Sequence, residues 1–97
     1  MIESLNDKII REHQDNINIL NKNILALYDL KSLKEEKKLK TYYDKFHIPN
    51  NENYQIEYIK NTIKNDSLVY QIKEINTIID LLNEKVEYET KFIEERR

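Results

Sequence analysis

The chain has no cysteine, no glycine and no tryptophan, and a single proline, Pro49. Without cysteine there is no disulfide, no thiolate nucleophile and no thiolate-held zinc or iron–sulfur centre. Without glycine, the backbone lacks the residue that enters positive φ at no steric cost. Tight hairpins, strand bulges and glycine-rich phosphate loops are therefore disfavoured together. Charge of one sign is also lacking: 16 basic residues face 18 acidic ones, for a net charge of −2. A general nucleic-acid binder usually shows a basic excess. Only Arg11, Arg96 and Arg97 are arginine; the other cations are lysine. The N-terminal residues hold no long apolar run, which argues against a signal peptide or a membrane span and for a cytoplasmic protein.

What is present reads as helix. Ninety-seven residues fit one small domain, and a chain of this size often gains stability from a partner. Ser4 offers a side-chain oxygen to the first turn of a helix, with Asp7 at the capping-box position. From there Ile10, His13, Ile17, Leu20, Ile24 and Leu27 recur in alternating steps of three and four, the seam of a packed helix. Past Leu30 the pattern loosens into KSLKEEKKLK, and the apolar signal returns at Leu39, Tyr42, Tyr43 and Phe46. No breaker lies between Ser4 and His47, so the spacing predicts one helix over about 4–46, or ~65 Å at 1.5 Å per residue. A kink near 34–38 is the alternative.

The segment HIPNNEN is the predicted turn, 47–52. Pro49 pushes Ile48 out of the α region, and Asn50 or Asn51 can cap the next helix. A short helix is expected over about 52–64, carrying Tyr54, Ile56, Tyr58, Ile59 and Ile63. Asn65-Asp66-Ser67 then predicts a second break with a fresh N-cap, and a last helix over about 67–95. Its seam is Leu68, Ile72, Ile75, Ile79, Leu82 and Val86, interrupted by Glu89 and resumed at Ile93. The expected fold is all-α: an antiparallel, coiled-coil-like hairpin of long helices with a short third helix. Such a hairpin cannot enclose its own seam, so assembly into a helical-bundle homodimer is expected.

Few residues carry chemistry. His13 stands on the seam where Ile or Leu belongs. It reads as a partly buried histidine satisfied by a facing group; a metal ligand, a proton-responsive switch or a register-setting polar group is the sharper alternative. Lys31, Lys34, Lys37, Lys38 and Lys40 could track a phosphate backbone, but Glu35 and Glu36 interrupt them, and a solvated helix face explains them as well. Tyr42, Tyr43, Tyr54 and Tyr58 flank the only proline. Tyrosine joins a large apolar ring to a polar tip and is enriched where proteins meet.

The stretch INILNKNILALYDLKSLKEEK, with the later HIP, resembles the first helix and turn of the all-helical chorismate mutases. The resemblance implies a cationic substrate ligand at Lys31. Asn53–Glu57 lacks the Arg–Glu pair that such a site also requires, and no nucleophile–base pair or carboxylate pair stands at an interpretable spacing. The sequence therefore reads as a non-catalytic protein without cofactor or metal. The expected function is docking on another protein as inhibitor, adaptor or assembly factor. Tyr42, Tyr43, Tyr54 and Tyr58 would make the contact, with Lys37, Lys38 and Lys40 steering encounter. Nucleic-acid association through 31–40 is the alternative. Asn, Lys, Ile and Tyr fill 47 of 97 positions; their codons are A/T-rich, which suits a phage, plasmid or other mobile element.

Overall fold

The computed structural model describes residues 3–48 and 52–97. Within them the chain forms two helices that make an antiparallel hairpin: α1, Leu5–Phe46, and α2, Tyr54–Arg96. The first starts as its sequence requires. The Asp7 amide donates to Ser4 Oγ at 3.1 Å and the Lys8 amide to the Ser4 carbonyl at 3.0 Å, which supplies partners for two amides of the first turn. Asp7 and Glu57 sit in the first turns and Lys45 and Arg96 in the last, each matching the partial charge of its helix end. The proposed caps Asn50 and Asn51, with Pro49, lie outside the described residues.

The expected break at Asn65-Asp66-Ser67 does not occur. α2 runs through it, so the short third helix is absent among the described residues and the segment expected as two helices is one of 43 residues. The reason is where the side chains hydrogen-bond. Asn65 Nδ2 donates to the Lys38 carbonyl at 3.2 Å and to Thr41 Oγ1 at 3.3 Å, both on the facing helix. Ser67 Oγ accepts from Gln71 Nε2 one turn on, at 3.0 Å. Neither side chain competes for its own backbone, the usual way such residues end a helix, and the next residue, Leu68, is buried.

The chain divides into two compact units. The first comprises residues 1–27 and 77–97. Here the inward row of α1 is Ile10, His13, Ile17, Leu20, Ile24 and Leu27; that of α2 is Ile79, Leu82, Val86, Glu89 and Ile93. Ile24, Ile79 and Ile93 are buried and the others half-buried. The register is fixed near the ends, where Asn6 Nδ2 donates to the Arg96 carbonyl at 3.1 Å.

The second unit, residues 28–76, keeps the same three–four row but fills it differently. On α1 the half-buried positions are Lys31, Lys34, Thr41, Asp44 and Lys45, with Ile48 just past its end; on α2 they are Tyr58, Asn61, Thr62, Asn65, Gln71 and Ile72, around buried Leu68 and Ile75. Leu39, Tyr42, Tyr43 and Phe46, at helical spacing from one another, stand off this row and are exposed. So are Ile56, Ile59 and Ile63 of α2. Most of the half-buried groups inside this unit are polar, while several of its large apolar side chains look out. No described helix is long and apolar enough to cross a membrane.

Two substitutions check this arrangement by urea unfolding followed by circular dichroism. Ile79→Asp, placing a carboxylate in the dry row, is expected to cost ~3 kcal/mol or more, whereas Leu39→Asp should stay within ~0.5 kcal/mol of the parent. Asp66→Pro is expected to cost ~3 kcal/mol, the penalty of a helix interior. A neutral Asp66→Pro would mean that the chain breaks there after all.

Candidate partner-binding surface

The tyrosines and lysines singled out by sequence all lie in the unit of residues 28–76. The structure sorts them by helical face rather than by position in the chain. Residues one apart on a helix point about 100° apart, so Tyr42 and Tyr43 cannot share a face. Tyr42 meets Phe46 edge-on, ring centroids 5.0 Å apart. Tyr43 instead stacks on the His47 ring at 3.8 Å, and His47 Nδ1–H donates to the Tyr43 carbonyl at 2.7 Å. On α2, Tyr54 and Tyr58 lie one turn apart with nearly parallel rings at 6.4 Å.

Lys45 joins the two helices' aromatics. Its Nζ lies 5.0 Å from the Tyr58 ring centroid and 5.8 Å from that of Phe46, within the range of a cation–π contact. Tyr42, Phe46, Lys45, Tyr58 and Tyr54 therefore form one connected cluster, beside which the Tyr43–His47 stack stands separately. Tyr42, Tyr43 and Tyr54 are 57%, 60% and 39% exposed, while Tyr58 is half-buried. Tyr42, Tyr43 and Phe46 turn most of their surface to water, whereas Tyr54 and Tyr58 are more than half covered. Sequence reasoning missed Lys45. The signal that could have found it is its place on the continued three–four row from Leu27, which puts it inward against the second helix.

The lysine run is divided as well. Lys31 and Lys34 are half-buried on the inward row, and Lys38, though exposed, offers its carbonyl to Asn65. Lys37 and Lys40 border an open cleft of ≈ 370 Å³ together with Lys64 of α2, and Thr41, Ser67 and Asp44 contribute to its walls. Three cations from two helices thus share one cleft. Lys64 could not be assigned from the 31–40 stretch, because it joins Lys37 and Lys40 only through the antiparallel register. Among the described residues no group of three or more His, Asp or Glu side chains could hold a metal ion.

The unit of residues 1–27 and 77–97 explains both polar interruptions of its seam at once. His13 and Glu89, each a polar residue on an apolar row, face each other: His13 Nδ1–H donates to Glu89 Oε2, since an ionised carboxylate can only accept. The pair is half-buried, and the Phe92 ring lies 4.0 Å from the imidazole. A facing side chain satisfies the histidine, and a carboxylate opposite changes what a substitution does. His13→Leu leaves Glu89 without its donor among apolar neighbours and is expected to destabilise by ~1–3 kcal/mol. His13→Leu with Glu89→Leu should recover the loss or exceed the parent, as apolar replacement of a buried polar pair often does. A urea-unfolding double-mutant cycle measures the coupling, and additive effects would show that the two side chains act independently.

No family model matches the chain, no curated protein matches it, and no solved structure matches it.

Proposed function

We propose that the chain is a small non-catalytic protein that acts by docking on another protein, as inhibitor, adaptor or assembly factor. The observation that carries this is the aromatic cluster of exposed Tyr42, Phe46 and Tyr54 with half-buried Tyr58 around Lys45, and the Tyr43–His47 stack nearby. Tyr58 joins the inward row through Lys45, whereas Tyr42, Tyr43 and Phe46 stand outside it. Exposed rings of this size cost solvation and add little to the hairpin. At an interface they supply contact area at low entropic cost and a hydroxyl for the rim. Lys37, Lys38 and Lys40 would draw in a partner of acidic surface and set the rate of encounter. A composition rich in Asn, Lys, Ile and Tyr, whose codons are A/T-rich, supports a cytoplasmic product of a phage, plasmid or other mobile element. Self-association into a homodimer belongs to the same proposal, since the hairpin exposes much apolar surface.

The cleft of Lys37, Lys40 and Lys64 supports a second reading, association with nucleic acid, in which lysines neutralise phosphates. The net charge of −2 weighs against it.

The test compares the parent with Tyr43→Ala and Tyr54→Ala in affinity capture from the source cells. Both variants are expected to retain helicity and melting temperature and to lose the captured partner. If the variants unfold instead, the rings belong to the hairpin's own stability and the docking surface is elsewhere. Salt-titrated binding of a fluorescent oligonucleotide separates the second reading. The docking reading expects no binding even at low salt. Tight binding whose salt slope falls by about one for each of Lys37→Ala, Lys40→Ala and Lys64→Ala would favour nucleic acid.

A further inference from the structure

We infer that the furrow along one flank of the unit of residues 28–76 seats an extended peptide segment of the partner protein, acidic at the Lys37, Lys40 and Lys64 end and basic toward Asp44 and Glu57. The inference rests on the docking reading and names the chemistry of the segment that docks.

Two open clefts lie on this flank, ≈ 370 Å³ and ≈ 380 Å³. Asp44 and Asn61 line both, so the clefts form one continuous furrow between the helices. At one end stand Lys37, Lys40 and Lys64, with buried Leu68 in the floor. Among the described residues no carboxylate lies within ion-pair distance of any of these three ammonium groups. Like charges gathered round one cleft repel one another, and Asp44 is the only acid in its walls among the described residues. At the other end Glu57 joins Asp44, beside His47 and Ile48. Glu57 reaches Lys60 only at 4.0 Å, and both side chains are about half exposed or more, so its carboxylate stays open to a ligand.

The sign of charge thus reverses along the furrow, and that reversal selects the occupant. A nucleic-acid backbone is negative at every step. It would satisfy the lysine end and be repelled by Asp44 and Glu57. A peptide can change sign along its length and match both ends. Thr41, Asn61, Ser67 and Gln71 add hydroxyl and amide groups to the walls, suited to the N–H and C=O groups of an extended backbone. From Glu57 to Gln71 the second helix rises ~21 Å at 1.5 Å per residue. An extended segment of about six or seven residues spans that length.

The experiment selects yeast-displayed random peptides of about seven residues on the immobilised full chain and reads the enriched sequences. Asp and Glu are expected at one end of the binders and Lys or Arg at the other. The best binder, made with a fluorophore, is then titrated by anisotropy, with circular dichroism as the control for folding. Lys37→Gln and Lys64→Gln are each expected to weaken it ~5-fold, the scale of an exposed ion pair. Lys64→Arg, which keeps the charge, should hold affinity, as should Lys22→Gln in the other unit. Asp44→Asn should weaken only binders that carry the basic end. Absence of enrichment, binders without acidic residues, or a binder indifferent to Lys37→Gln and Lys64→Gln would overturn the furrow assignment. Tighter binding of a single-stranded oligonucleotide than of the selected peptide at physiological salt would give the furrow to nucleic acid instead. If the furrow assignment fails while capture dependent on Tyr43 and Tyr54 persists, the docking reading stands; if neither appears, both fall.

Discussion

The structure depends on one geometric constraint, the three–four recurrence that keeps a single row of each helix turned toward the other. In the unit of residues 1–27 and 77–97 the row is mostly branched and leucyl side chains, and burial holds the helices together. Its polar interruptions, His13 and Glu89, are tolerated because they answer one another. In the unit of residues 28–76 the recurrence continues with Lys, Thr, Asn and Gln. There the helices meet through specific hydrogen bonds, such as those from Asn65 to Lys38 and Thr41, and through the Lys45 ammonium over Tyr58. The energetics differ accordingly. Apolar burial is non-directional and grows with area, whereas each hydrogen bond exchanged with water contributes only about 1 kcal/mol net.

That difference decides which surface is free for function. Where the inner row is apolar, the outer residues are a second resource, and Ile78, Leu81 and Tyr88 remain uncovered. Where the inner row is polar, the large apolar rings have been moved to the outside, as at Tyr42, Tyr43 and Phe46. Both arrangements leave large apolar side chains exposed to water. The two units offer chemically different surfaces: an aromatic cluster beside lysines, and an aliphatic row with a single charge.

Much of the fold was legible because helical periodicity is a property of the chain itself. The row from Ile10 to Leu27, the row from Leu68 to Ile93 and the Ser4 cap all stand where the spacing puts them. The turn-forming bias of Asn65-Asp66-Ser67 misleads because it is a local preference worth a fraction of a kcal/mol per residue, and contacts with the facing helix override it. The polar half of the inward row was illegible for a different reason. Lys31, Lys34, Thr41 and Lys45 look like solvated helix when hydrophobicity is the signal, and the apolar residues beside them look like the seam. Tyr42, Tyr43, Tyr54 and Tyr58 form one group by their nearness to Pro49, but nearness along a chain says nothing about faces.

By itself, then, the sequence determined helical class, the apolar seams, the start of α1 and the absence of cysteine- and glycine-dependent chemistry. Each of these comes from residue type and local spacing. The tertiary structure alone decided that α2 is unbroken, that His13 answers Glu89, that Lys64 joins Lys37 and Lys40, and that Lys45 links the aromatics of both helices. All four depend on which residue of one helix stands opposite which residue of the other. That register is settled by the summed packing of the whole interface, and no short stretch of sequence contains it.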